Sequence, residues 1–283
     1  MRAKRVIIRV INFCKRVKWR FGSLFLRLRG HYDKGGYQIF QKSVGNTLII
    51  VPHADDEIVG CFHYITRFKD RVQLLYCQFL GDNYTDEMQK IRLLEFERFC
   101  KSIDLPFTIS TPQNVVRDIK KLLVMQDITQ IFSPSVVDWH PEHRLCSKLL
   151  SIALNDSSYL GEIYWYHVTI PIPFFAITHT IPVSKKGQED KWNVFYKFYA
   201  SQRNLNVDRF KYYEHANVNG TYAYESYLRL PNTLCLEFDE LFITEIEADR
   251  SFKTSLSNYL LTYKKASEYY LKILERWRHL QYL

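Results

Sequence analysis

The first thirty residues contain no acidic side chain, the six cysteines form no C-x-x-C pair, and charges break up every apolar run near the N-terminus. Each absence excludes something. In "MRAKRVIIRVINFCKRVKWRFGSLFLRLRG" the ten Lys or Arg interrupt at Arg9, Lys15 and Lys18, so no stretch is long enough to span a bilayer or form a signal-peptide core. The whole chain has 39 basic and 30 acidic residues, which leaves 29 against 30 beyond residue 30. The basic balance therefore belongs to the N-terminal segment, and the rest offers no nucleic-acid-binding surface by charge. Cys14, Cys61, Cys77, Cys100, Cys146 and Cys235 are scattered, mostly among apolar neighbours where a free thiol acts as a small hydrophobe. A reducing cytoplasm is expected. There is no internal repeat, no low-complexity tract and no Gly-rich phosphate loop; the lone G-D-N-Y turn is too weak to count as one.

What is present begins with that basic segment. Val6, Ile7, Val10, Ile11, Val17, Phe21, Leu24, Phe25 and Leu28 interleave with its cations, the pattern of a helix lying on an anionic membrane face. The same pattern suits a basic helix packed on the domain or on a partner subunit, and a disordered tail stays open. With 283 residues and 47% hydrophobic content, one large domain with additions at its ends is expected. The boundaries are a basic amphipathic segment over 1–40, a domain over 41–250 and a C-terminal helix over 251–283. Twenty Tyr and nineteen Phe suit a core, and would equally suit walls on which sugars stack.

Strand-like and helix-like runs then alternate. "TLIIVP" reads as a buried strand, followed by a helix from about Glu57 with Ile58, Cys61, Phe62, Ile65 and Phe68 at helical spacing. "VQLLYCQFL", "PFTIS", "ITQIFSPS" and "EIYWYHVTIPIP" read as strands; "IRLLEFERFCKSI", "VVRDIKKLLVMQ" and a segment entered through Pro141 read as helices. Strands separated by single helices predict an α/β fold, a mostly parallel sheet with helices on both faces. Ligands of such sheets gather at the C-terminal strand ends. Further on, "DKWNVFYKFYASQ" reads as a helix, "TLCLEFDELFITEI" as strands and residues 251–283 as helix, whereas the rest of 171–219 has no legible conformation.

Two clusters carry the chemistry. In "PHADDE", at a strand-to-helix junction, one helical turn can bring His53 and Asp56 to the same side. An imidazole and a carboxylate there make two thirds of a zinc site. In "DWHPEHR", His140 and His143 again stand after a buried strand. A His53–Asp56–His143 set would leave a position open for water, as a catalytic zinc requires, and Asp55 could take that water's proton. Taken singly, Asp55, Asp56 and Glu57 also suit a plain acidic helix N-terminus, and the two histidines a solvated first turn. His63, among apolar residues on a helix, reads as core or rim.

"PHADDE" with "HPEH" resembles the PIG-L/LmbE-like family of zinc-dependent N-acetylglucosaminyl deacetylases, whose pattern is close to A-H-P-D-D-E and H-P-D-H. The similarity runs from about Thr47 to Tyr227: "RLLE" resembles R-x-x-E, "KWNVFYKFYASQ" the K…SQ helix and "YESY" a late Glu-x-aromatic element. The resemblance implies a Rossmann-like fold, zinc held by His53, Asp56 and His143, Asp55 as general base, and protonated His140 as electrophile and acid with Asp138 orienting it. Arg92 suits a contact to a substrate hydroxyl or phosphate, or a surface helix arginine, and Gln202 and Glu225 suit either the substrate pocket or a structural role. Ala54 stands where the family usually has proline, which alters loop stiffness rather than ligation. Glu142 replaces the Asp of H-P-D-H at a position that is not a ligand, and no effect on chemistry is expected. The implied reaction is removal of acetyl from an N-acetylated amino sugar within a glycoconjugate. The basic N-terminus adds the expectation of a lipid-linked substrate at the inner face of the cell membrane. A soluble glycoside or sugar nucleotide, with the N-terminal helix serving oligomerisation, is one alternative; a catalytically silent glycan-binding protein is another. The ligands could also take iron or another divalent ion.

Overall fold

Residues 46–51 show why the central strands are apolar without interruption: Leu48 and Ile50 enter one hydrophobic cluster, Ile49 and Val51 another. A strand buried on both faces needs no polar alternation. The structure, a computed structural model, describes residues 13–14, 17–22, 24–25, 37–40, 45–80, 85–155, 157, 159–203, 205, 207–216, 222–231, 243–255 and 258–280.

In chain order the elements are β1 (Gln38–Ile39), β2 (Asn46–Val51), α1 (Asp56–Phe68), β3 (Val72–Tyr76), α2 (Asp86–Ser102), β4 (Phe107–Ile109), α3 (Val115–Met125), β5 (Ile128–Pro134) and α4 (Pro141–Asn155). They continue as β6 (Glu162–Tyr166), β7 (His179–Val183), α5 (Lys185–Phe198), α6 (Val207–Ala216), β8 (Ala223–Arg229), α7 (Arg250–Ser255) and α8 (Tyr259–Leu280). The eight strands form one sheet in the order β1-β7-β8-β6-β5-β2-β3-β4. Neighbours are parallel except that β8 runs antiparallel to both β6 and β7. The expected α/β architecture is present, with one reversed strand.

Helices cover both faces. Val115 and Ile119 of α3, Cys146 and Leu150 of α4 and Tyr270, Ile273 and Trp277 of α8 pack on one side. Ile58 and Ile65 of α1, Phe96 and Phe99 of α2, Trp192 and Phe195 of α5 and Phe210 and Tyr213 of α6 pack on the other. Gly60 lets α1 press against β6, because a Cβ there would run into the Tyr166 ring.

The departures have local causes. Helix α2 starts at Asp86, five residues before the expected "IRLLE", because Thr85 caps it, its hydroxyl accepting from the Met88 amide at 3.3 Å. Most of "TLCLEFDELFITEI" lies outside the described residues, and its described end, 243–246, belongs to a helix over 243–248 rather than to a strand. Strand β7 falls in the stretch that could not be read from sequence, and β8 is formed by the "YESY" segment. Most of the basic N-terminal segment also lies outside the described residues. Its described residues between 13 and 25 are helical, and β1 lies at its end: Trp19 is buried against Tyr213 and Tyr259, at ring-centroid distances of 5.8 and 5.1 Å, while Phe13, Phe21, Leu24 and Phe25 are exposed. Among the described residues no helix is long and apolar enough to cross a membrane.

Strand order positions the site. From β2 the chain moves outward through β3 to β4, then returns to place β5 on the other side of β2. The crevice between β2 and β5, at their C-terminal ends, is where strand order reverses and where such sheets bind ligands. The β2–α1 and β5–α4 connections are the two polar clusters singled out in the sequence.

Candidate metal centre

Asp55 opens α1 with φ 127° and ψ −23°, a conformation that side-chain-bearing residues rarely adopt. Its amide donates to Glu57 Oε2 at 3.0 Å and its carbonyl accepts from the Ile58 and Val59 amides, both at 3.0 Å. Glu57 in turn accepts from the Tyr199 hydroxyl. These bonds hold a kink that turns His53, Asp55 and Asp56 toward one pocket.

There three donor atoms converge. His53 Nδ1 lies 3.0 Å from Asp56 Oδ2 and 3.0 Å from His143 Nε2, and His143 Nε2 lies 3.2 Å from Asp56 Oδ2. A triangle with sides of this length has every corner within reach of one ion held at about 2.0–2.2 Å. Two imidazoles and a carboxylate are the donor set of a catalytic zinc, and other divalent transition metals suit the same donors. The three imidazoles of His53, His140 and His143 also gather, but more loosely, within 4.8 Å of one another. The tighter set is the one containing Asp56, with His140 at its edge.

The outer nitrogens of both imidazoles meet carboxylates. His143 Nδ1 is 3.2 Å from Asp138 Oδ1, and His53 Nε2 is 2.6 Å from Glu142 Oε2. Such partners fix the tautomer that leaves the inner nitrogen free for a metal. Asp138 was expected to orient the His140 ring; it accepts only from the His140 backbone amide, at 2.8 Å, while its carboxylate faces His143 and Thr169. Glu142, expected to be inert, is the partner of His53. It carried no weight in the sequence because it is not a ligand, although its place on the first turn of α4, beside Pro141, puts it next to both histidines.

The electrostatics follow from this packing. Burial favours neutral His143, but the charges of Asp56 and Asp138 outweigh it and push its pKa up to about 10. Asp56 is buried too, yet His143 and His53 hold it well below the usual carboxylate range. Burial pushes His140 down to about 4, with the charges of His143 and His53 adding to it, so this ring is neutral rather than the expected imidazolium. Burial raises Asp55 to about 6, against the pull of Arg92, whose Nη2 donates to Asp55 Oδ1 at 2.8 Å. Glu57 is pushed to about 8 by burial, despite the Tyr199 hydrogen bond.

The pocket holding these groups encloses about 620 Å³ and is also lined by Arg92, Trp139, His140, Gln202 and Arg209. Of the residues expected at the substrate, Arg92 and Gln202 are therefore present, Arg92 as the partner of Asp55. Its Nε and Nη1 are buried without a hydrogen-bond partner among the described residues. Glu225 is elsewhere. Fully buried in β8, it accepts from the His63 and Tyr64 amides at 3.0 and 2.8 Å and from the Tyr227 hydroxyl at 2.5 Å, fastening α1 to the sheet. Buried Lys191 lies 3.6 Å from Glu225 and donates to Val59 O at 2.8 Å and to Glu214. The K…SQ helix thus contributes a structural lysine and a Gln202 at the pocket. Glu95 accepts from the Ser201 amide and hydroxyl at 2.8 and 2.6 Å, which holds the turn carrying Gln202.

No protein-family model matches the chain, and no curated protein matches it. Solved structures do. The A40926 pseudoaglycone deacetylase Dbv21 is 12% identical over 66% of this chain and 98% of its own, with a TM-score of 0.50. The zinc-inhibited form of teicoplanin deacetylase Orf2 is 13% identical over 65% of this chain and 97% of its own, with a TM-score of 0.49. The conserved protein TT1542 from Thermus thermophilus is 20% identical over 67% of this chain and 96% of its own, with a TM-score of 0.49. At such identities the likeness to Dbv21 is one of fold.

Proposed function

We propose that this chain is a metal-dependent N-deacetylase acting on an N-acetylated amino sugar of the N-acetylglucosamine type. The observation that carries the reading is the convergence of His53 Nδ1, Asp56 Oδ2 and His143 Nε2 within 3.2 Å, with buried Asp55 lining the same pocket. The A40926 pseudoaglycone deacetylase, whose fold this chain shares, is named for the reaction such a site can perform.

His53, Asp56 and His143 would hold zinc or another divalent ion, which would supply Lewis acidity toward water and an amide carbonyl. The rest is work for the chain's own groups. Asp55, fixed by Arg92 and by its strained backbone, accepts the proton of the attacking water. Neutral His140 offers an N–H to the oxygen on which negative charge develops. The proton taken by Asp55 is the one the departing amine needs, and a pKa near 6 suits both transfers near neutral pH. The products are acetate and the free amino sugar. Arg92 and Gln202 line the pocket beside Asp55, where a substrate hydroxyl or phosphate would meet them.

The substrate class extends this reading to a lipid-linked glycoconjugate. Exposed Phe13, Phe21, Leu24 and Phe25 stand in a segment of ten cations and no acid, and Trp19 ties that segment to Tyr213 of α6, the helix whose Arg209 and Phe210 line the pocket. The principal test is acetate release by the zinc-loaded protein from free, nucleotide-linked and lipid-linked N-acetylhexosamines, beside Asp55→Asn. Release lost in the variant is expected; full activity with metal bound would remove Asp55 from its role. For the membrane extension, sedimentation with phosphatidylglycerol vesicles should exceed that with phosphatidylcholine and weaken when residues 1–30 are deleted.

A further inference from the structure

The charged side chains lining the metal-site pocket have opposite partners, with one exception. Arg92 lies 2.8 Å from Asp55, and Asp56 lies 3.0 Å from His53 and 3.2 Å from His143. Glu142 lies 2.6 Å from His53 and 3.7 Å from His140. The exception is Arg209, whose side chain makes neither an ion pair nor a hydrogen bond among the described residues. It stands half-buried in the first turn of α6, its guanidinium carbon 4.7 Å from the centroid of the buried Phe210 ring. Packing on the ring holds the guanidinium in place without neutralising it. Its Nε is buried, which leaves the two outer nitrogens as the donors that reach open space. The acid next to it in sequence, Asp208, lies 3.9 Å from Lys211 instead.

We infer that the substrate carries an oxyanion, a phosphate ester or a carboxylate, on its amino-sugar ring and that Arg209 binds it. This rests on the deacetylase reading and narrows its substrate from neutral to anionic amino sugars. The charge balance of the pocket selects the ligand. A neutral sugar filling the space would strip water from the guanidinium and leave its charge uncompensated. An oxyanion replaces that water with charge-assisted hydrogen bonds, roughly twice as strong as those from a neutral hydroxyl, and its paired oxygens match the two outer nitrogens. Arg92 cannot serve in the same way, because Asp55 already balances its charge and its Nε and Nη1 are buried. The volume, about 620 Å³, lies within the range of small-ligand sites.

The test compares the methyl glycoside of N-acetylglucosamine with three anionic sugars: its anomeric phosphate, its phosphate ester at the primary hydroxyl, and N-acetylmuramic acid. Acetate release is measured with zinc-loaded protein. Binding is measured on the same protein by calorimetry with the corresponding free amines, which are not turned over. At least one anionic sugar should exceed the methyl glycoside by about ten-fold or more in kcat/KM and in affinity. The one that does so separates phosphate from carboxylate and places the group on the ring. Arg209→Gln should bring that ratio to within about two-fold at unchanged zinc content. Arg209→Lys should keep part of it, as a charge without the planar fork. Equal affinity for the methyl glycoside and all three anionic sugars overturns the inference. So does a preference that survives Arg209→Gln, because the anion would then be held elsewhere. A binding preference that Arg209→Gln removes, without acetate release from any sugar, would instead overturn the deacetylase reading and leave the oxyanion site standing.

Discussion

The two ends of the sheet each carry a cavity, and the larger one is not the candidate site. At the N-terminal ends of β5 and β6, Leu123, Val124, Ile128 and Leu160 line about 870 Å³, with Lys120, Asp127 and Glu162 as the charged groups. At the C-terminal ends of β2 and β5 the pocket is smaller, about 620 Å³, yet three imidazoles and three carboxylates line it. The difference follows from topology. In a parallel sheet the strand-to-helix connections at the C-terminal ends bring helix N-termini and their polar first turns together, and the point of reversed strand order leaves room between them. Volume alone marks a place to bind; convergent titratable groups mark a place for chemistry.

The largest expected effect separates the two ends. His143→Ala should abolish bound zinc, measured by elemental analysis, and lower acetate release by about a thousand-fold or more. Leu160→Ser, in the larger cavity, should leave release within about two-fold; loss of activity there would invert the comparison. Next, Asp55→Asn should lower kcat by about a hundred- to ten-thousand-fold while zinc content stays at wild-type level. A smaller effect belongs to Glu142→Gln. Freeing the outer nitrogen of His53 should weaken zinc about 10- to 100-fold in competition with a chelator. An unchanged affinity would return Glu142 to the inert role that its sequence position suggested.

Legibility in the sequence tracked how local each feature is. The central strand was readable because double-sided burial demands an uninterrupted apolar run, as in residues 48–51 of "TLIIVP". The ligand candidates stood out because charge beside such runs is costly and needs a reason. Strand β8 was not readable: its "AYESYLR" mixes Glu225 and Ser226 into aromatics, and both are buried through contacts with α1 and the neighbouring strands that no local pattern encodes. The same distance effect misplaced Glu225 at the substrate and paired Asp138 with the wrong histidine. Asp138 is nearer His140 in sequence, but one helical turn carries His143 back over it.

The smallest effect is one of sign. Glu57, at the site end, is buried and its pKa is raised from 4.5 to about 8, so between those values the folded chain holds a proton that the unfolded chain has released. Its contribution to stability is present below about pH 4.5 and is lost as pH rises through about 8. Glu162, at the other end, is opposite. Burial would raise it, but hydrogen bonds from Tyr164 at 2.7 Å and Gln130 at 3.0 Å, with Arg229 3.0 Å away, win and lower its pKa. Its contribution is present above its unfolded pKa of 4.5 and is lost as pH falls through the lower folded value. Urea midpoints of the chelator-treated protein from pH 4 to 9 should therefore diverge. Glu57→Gln should gain on wild type as pH rises, by a few kcal/mol at most given about 1.4 kcal/mol per pKa unit. Glu162→Gln should lose against wild type only at the acid end, as pH rises toward 4.5, and by less, because its partners are partly exposed to water. Parallel behaviour of the two variants would mean that the carboxylate environments at the two ends do not differ, which would undo the electrostatic half of the comparison.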